Sequence, residues 1–178
     1  MTTESKIVKF NPAVLPLEYS PKIKDVSDGK HKRYYLIPGQ VFASSESYAI
    51  SAIIGSGAAL CLWDSVRHIG GACHYLFPDD ATEVVDPKYA KFSFELLLSQ
   101  LSKHGANLCN LEAKIFGGSQ PAVKFGNNKE CLGIRNVEIG IAMLNRKGIQ
   151  VVSKEVGGTQ GRKIVFQTDD GVAWSEKL

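Results

Sequence analysis

Ile54-Gly55-Ser56-Gly57-Ala58-Ala59-Leu60-Cys61-Leu62-Trp63-Asp64 and, four residues on, Ile69-Gly70-Gly71-Ala72-Cys73-His74-Tyr75-Leu76-Phe77-Pro78 form the central stretch of this chain. Residues 58–63 and 72–77 are apolar runs of strand length, rich in aliphatic and aromatic side chains and bounded by glycine. Residues 34–37 and 48–54 have the same character, and further strands are expected at 110–116, 150–154 and 163–168. Two stretches have helical spacing instead. In the first, Asp86-Pro87 offers an N-cap and a first-turn proline ahead of Tyr89, Phe92, Leu96 and Leu97, with Gly105 as the stop. In the second, Asn136 is the expected N-cap, Val137, Ile141 and Leu144 follow, Gly148 ends the run, and Glu138 suits the positive helix end. Strands dominate and helices punctuate them, which predicts a mixed α/β fold and not a doubly wound parallel sheet.

The chain of 178 residues is expected to form one domain, with residues 34–178 folded and the polar, proline-interrupted residues 1–33 as an irregular lead-in. Hydrophobic residues at 44% and charged residues at 22% are ordinary globular values. A net charge of +3 does not mark a nucleic-acid binder. Lys22, Lys24, Lys30, Lys32 and Arg33 are interrupted by acids and hydrophobics, so they read as a solvated loop and not as a docking arm. No segment has the length of a membrane span and the first residues lack a basic-then-apolar leader, so a cytosolic protein is expected.

Cys61, Cys73, Cys109 and Cys131 form no C-x-x-C pair, so buried reduced thiols are expected and no disulfide or metal framework. A metal site built from Cys61, His68, Cys73 and His74 matches no zinc spacing, and neighbours in a strand point to opposite faces, so Cys73 and His74 should diverge. The pairs Gly70-Gly71, Gly117-Gly118 and Gly157-Gly158 fit no phosphate loop and read as tight turns. Taken singly, a histidine on an apolar strand is usually a hydrogen-bonded core residue, and Ser51 is an ordinary strand serine.

Five ordered segments change that reading. The central stretch resembles the signature of the CheD family of chemoreceptor glutamine deamidases, roughly G-S-C-V, a strand ending in Y/W-D, then I-G-G-x-x-H-x-x-L-P. Leu36-Ile37-Pro38-Gly39-Gln40 is similar to the family's opening strand, and Ala113-Lys114-Ile115-Phe116-Gly117-Gly118 to its A-K-x-F-G-G. Leu132-Gly133-Ile134-Arg135-Asn136 resembles I-G-x-R-N, and Gly157-Gly158-Thr159-Gln160-Gly161-Arg162 with Thr168 resembles the closing G-G-x-x-G-R strand. The resemblance implies a β-sandwich-like pair of sheets with helices on the outside, as in bacterial toxin deamidases. It implies deamidation of glutamines on the cytoplasmic domain of methyl-accepting chemoreceptors and, in some members, a CheC-type phosphatase partner. No cofactor or metal is implied, and neither nucleic acid nor membrane insertion.

The implied chemistry needs a thiolate to attack a carboxamide, release ammonia and leave a thioester for water to cleave, with an imidazole to activate the thiol and shuttle protons. His74 lies seventeen positions after Gly57, the family's interval between cysteine and histidine. The nucleophile position therefore holds glycine. Ser51, six residues before it, occupies the place of the family's threonine and keeps the hydroxyl. Ser56 fails the G-x-S-x-G pattern because Ile54 opens it. Cys61 shares the side of Gly57 but lies about 13 Å further along a strand. The preferred reading is a family member that binds receptors or a phosphatase and has lost hydrolysis. The alternative is an active deamidase whose cysteine was substituted at position 57.

Overall fold

A computed structural model describes residues 31–78, 85–120 and 131–178. Of the expected lead-in at 1–33, residues 1–30, with Lys22, Lys24 and Lys30, lie outside these residues. Among these residues nine strands and two α-helices follow in the order β1 (Lys32–Tyr35), β2 (Gln40–Ser44), β3 (Tyr48–Ile54), β4 (Ala58–Asp64), β5 (Ile69–Tyr75), α1 (Ala90–Lys103), β6 (Leu111–Gly117), α2 (Leu132–Arg146), β7 (Gln150–Val156), β8 (Arg162–Gln167) and β9 (Ala173–Lys177). They make a four-stranded sheet, β1-β3-β8-β9, and a five-stranded sheet, β2-β5-β4-β6-β7. The mixed α/β class and the paired sheets with outer helices are those expected.

The five-stranded sheet is the middle layer. One face packs on both helices through Leu60, Leu62, Tyr75, Phe94, Leu97, Leu101, Ile115 and Leu144. The other packs on the four-stranded sheet through Ala59, Cys61, Ala72, Phe116, Ile50, Ile54, Ile164 and Phe166. Covered on both sides, β5 is buried throughout and β4 at every position but Trp63, and both read as continuous apolar runs. β3 borders solvent and alternates, with Tyr48, Ile50, Ala52 and Ile54 buried and the residues between them more open.

Several local expectations give way. Asp86 caps no helix: its Oδ1 accepts from the Lys88 amide at 2.8 Å, its carbonyl accepts from Tyr89, and α1 starts only at Ala90. The Leu76 and Phe77 amides donate to the Lys88 carbonyl, which holds this turn against the end of β5 before the helix can begin. Asn136 is not an N-cap, since α2 begins four residues earlier, with Cys131 at the cap position. Gly70-Gly71 is not a turn but lies inside β5, where an added β-carbon would come within 2.7 Å of Thr168 at one glycine and of Ala43 at the other. Lys32 and Arg33 belong to the edge strand β1, and Lys32 reaches Glu46 at 2.7 Å.

Candidate functional site

Gly57 sits between β3 and β4, one residue before the Ala58–Tyr75 register pair, and His74 precedes Tyr75 on β5. Side chains alternate along β5, so Cys73 enters the helix-side core while His74 faces the second sheet. The two diverge as expected. A β-carbon built on Gly57 would lie 3.4 Å from His74 Nε2, so the structure brings these two positions together. It would also lie 2.5 Å from the Tyr75 carbonyl oxygen and 3.3 Å from Leu76 Cδ2. The main chain of β5 has closed to a distance that only glycine tolerates.

His74 is 2% exposed, and its Nδ1 is buried with no hydrogen-bond partner among the described residues. Burial removes the water that would stabilise an imidazolium and brings the pKa down to about 4, with the Leu36 backbone offsetting part of the effect. At neutral pH the ring is an uncharged base. Gln40 is its cross-strand neighbour and is buried with it, its Oε1 accepting from the Ile37 amide at 3.1 Å and the Tyr34 hydroxyl at 3.3 Å.

Ser51 is placed differently. It alternates with buried Ile50 and Ala52, and its hydroxyl donates to the Tyr34 carbonyl at 3.4 Å. Its own carbonyl accepts from the Leu36 amide at 2.8 Å, so Ser51 braces the end of β1 and forms no hydrogen bond to His74. Cys61 is buried between the sheets, where loss of hydration, with Cys73 adding to it, drives its thiol pKa far above the ordinary range. A protonated buried thiol does not supply the missing nucleophile.

Asn136 and Asp64 have roles that the sequence reading missed. Asn136 is wholly buried in α2 and its Nδ2 donates to the Ser56 carbonyl at 2.9 Å and the Leu76 carbonyl at 2.8 Å. The Tyr75 hydroxyl donates to the Asn136 carbonyl at 2.7 Å. One amide thus ties the segment before Gly57 to the segment after His74. The signal was a polar residue within the buried stripe Gly133, Asn136, Val137, Gly140, Met143 and Leu144. Asn136→Ala is expected to lower stability by about 2 kcal/mol, because two buried carbonyls lose their donor. Urea titration measures this, and an unchanged midpoint would rule the clamp out.

Asp64, which closes β4, organises the far end. Its carboxylate accepts from the amides of Val66, Arg67 and Asn107 at 2.9, 3.0 and 2.7 Å. Burial alone would raise its pKa, but these donors outweigh burial and hold it below the usual value.

Comparison with known proteins gives one consistent result. The family model described as CheD chemotactic sensory transduction matches residues 76–177. The chain is 33% identical over 150 residues to a protein of Anaeromyxobacter dehalogenans named "Probable chemoreceptor glutamine deamidase CheD 1", covering 84% of this chain and 87% of that one. Similarly named proteins of Trichlorobacter lovleyi and Rhizobium leguminosarum are 35% identical over 143 residues and 37% identical over 153. They cover 79% and 83% of this chain, and 88% and 81% of their own lengths.

Proposed function

Since this chain belongs to the CheD family, we propose that it docks on the cytoplasmic domain of methyl-accepting chemoreceptors without deamidating them. The relatives' names supply the receptor as partner. The observation that carries the loss of hydrolysis is Gly57, whose bare α-carbon faces the neutral His74 ring. The imidazole has the protonation state and position to take a proton from a thiol at position 57, and no thiol is there. His74, Gly57 and Ser51 mark the family's catalytic site in this reading, with Ser51 bracing it through β1. The packing supports a glycine native to this position, because the Tyr75 carbonyl fills the space that a β-carbon would take.

Residues 34–178 carry the receptor-binding surface in this reading and residues 1–33 precede it. A CheC-type phosphatase is a second partner. Docking takes place in the cytosol, and among the described residues no helix is long and apolar enough to cross a membrane. The alternative, a deamidase whose cysteine was substituted at position 57, draws on the retained His74 and the Asn136 clamp.

The test is incubation with a receptor cytoplasmic fragment, with glutamine-to-glutamate conversion followed by mass spectrometry and complex formation by co-elution. Binding without conversion above buffer is the expected result. Stoichiometric conversion would overturn the loss of hydrolysis, and absence of a complex would overturn the docking role.

A further inference from the structure

The outer face of the four-stranded sheet carries side chains that a sheet surface left to water ordinarily lacks. Ile50, Ala52, Ile54, Ile164 and Phe166 fill the core between the sheets, so the residues alternating with them face away from it. Register places Tyr35, Ser51, Val165 and Trp174 in one row across β1, β3, β8 and β9. Ile53 lies on the same side, two residues from Ser51 and diagonal to Val165. Tyr35, Ile53 and Trp174 are 54%, 48% and 53% exposed. Both helices pack on the other sheet, so neither covers this row. A solvated sheet face is normally polar, and a contiguous apolar one marks a contact surface.

The chain supplies a matching segment. Ile7, Phe10, Val14, Leu15, Leu17 and Tyr19 crowd into residues 7–19, whereas residues 20–30 hold Lys22, Lys24, Asp25, Asp28 and Lys30. This is an apolar stretch on a polar connector. The connector ends at His31, which is buried just before β1, its Nε2 3.5 Å from Asp169 Oδ2. The segment therefore departs from the edge of the same sheet whose outer face is bare. Fully extended, residues 20–30 reach at most about 36 Å, and strands spaced about 4.8 Å apart put β9 only about 14 Å from β1. Pro12 and Pro16 lack the amide hydrogen that a ladder needs, so the segment suits the face and not the open edge of β1. Its tether holds it at an effective concentration on the order of millimolar, above that of a second copy in dilute solution.

We infer that residues 7–19 lie across the outer face of the four-stranded sheet as an intramolecular cover, with their apolar side chains on Tyr35, Ile53, Val165 and Trp174. The cover needs no chemistry at Gly57 and stands whether or not the chain hydrolyses glutamine.

Fluorine NMR of the full chain labelled with 5-fluorotryptophan tests this, because Trp63 and Trp174 are its two tryptophans and Trp174→Phe assigns the signals. The expected result is a Trp174 resonance that moves little between light and heavy water and does not change with protein concentration. Phe10→Asp combined with Leu15→Asp should raise that solvent shift to the value of an exposed indole. Ile53→Asp, which alters the face and leaves the segment intact, should do the same. An unmoved Trp63 resonance reports that each variant is folded. A Trp174 signal with the full solvent shift in the parent chain would overturn the inference and leave the face to a separate partner. So would a shift that shrinks with rising concentration, which marks a second copy, or one that the substitutions in residues 7–19 leave unchanged.

Discussion

Gly57→Cys is expected to turn this chain into a hydrolase of receptor glutamines while making it less stable. Losing the nucleophile from a unit of this kind removes about a millionfold in turnover, so the gain over background is measurable even if most of the optimum geometry is missing. His74 Nε2 lies 3.4 Å from the new β-carbon position, and the ring is neutral at pH 7. With the imidazole pKa near 4 and a thiol near 8.5, the thiol does not ionise in advance. It gives up its proton to His74 as it attacks. The rate should therefore hold through neutral pH and fall only as the pH approaches 4 and the ring becomes protonated. The stability loss is about 1–3 kcal/mol, because the β-carbon must displace the Tyr75 carbonyl, a main-chain group 2.5 Å away. Gly57→Ser separates the two effects, with the same steric demand but no comparable nucleophile. Ammonia release from a receptor peptide and urea titration are the measurements. A folded Gly57→Cys protein with an accessible thiol and no ammonia release would show that more than the nucleophile has decayed.

Acid should destabilise the protein well above the range in which carboxylates titrate, and His74 should account for much of it. Its pKa falls from 6.5 in the unfolded chain to about 4 in the folded one, so between these values the unfolded state binds more protons. The contribution is fully present above pH 6.5 and is lost as the pH falls through the window towards 4. At 1.36 kcal/mol per pH unit it amounts to about 3 kcal/mol. Asp64, and Asp169, whose carboxylate accepts from the Ser47 hydroxyl at 2.8 Å, also have lowered pKa values and lose their contributions at lower pH, below the ordinary carboxylate value. The comparison that isolates His74 is urea unfolding of the parent chain and of His74→Gln at pH 7 and at pH 4.5. The parent should lose markedly more stability between the two. Equal losses would mean that His74 is more hydrated than its burial indicates.

The architecture was legible where hydrophobic pattern and motif agreed. The doubly covered strands β4 and β5 stood out as apolar runs, and the interval between Gly57 and His74 anticipated that they would meet. Two strands were missed. β2 opens with a buried glutamine directly after Gly39, and β9 has the sequence Ala-Trp-Ser-Glu-Lys at a sheet edge, so neither shows a clear apolar period. Asn136 was misplaced because capping preference is a local rule, whereas its amide partners, Ser56 and Leu76, are 80 and 60 residues away in sequence. Ser51 illustrates the same limit. Its position in the motif was readable, but its bond to Tyr34 depends on the pairing of β1 with β3.

The Asn136 clamp makes the helix and the two segments it holds a single mechanical unit. The Ser56 and Leu76 carbonyls hang from one side chain, so a push on α2 carries both segments in the same direction and leaves the gap between Gly57 and His74 nearly constant. Leu132 and Ile134, exposed in the first turn of that helix, are the nearest thing to a handle on it.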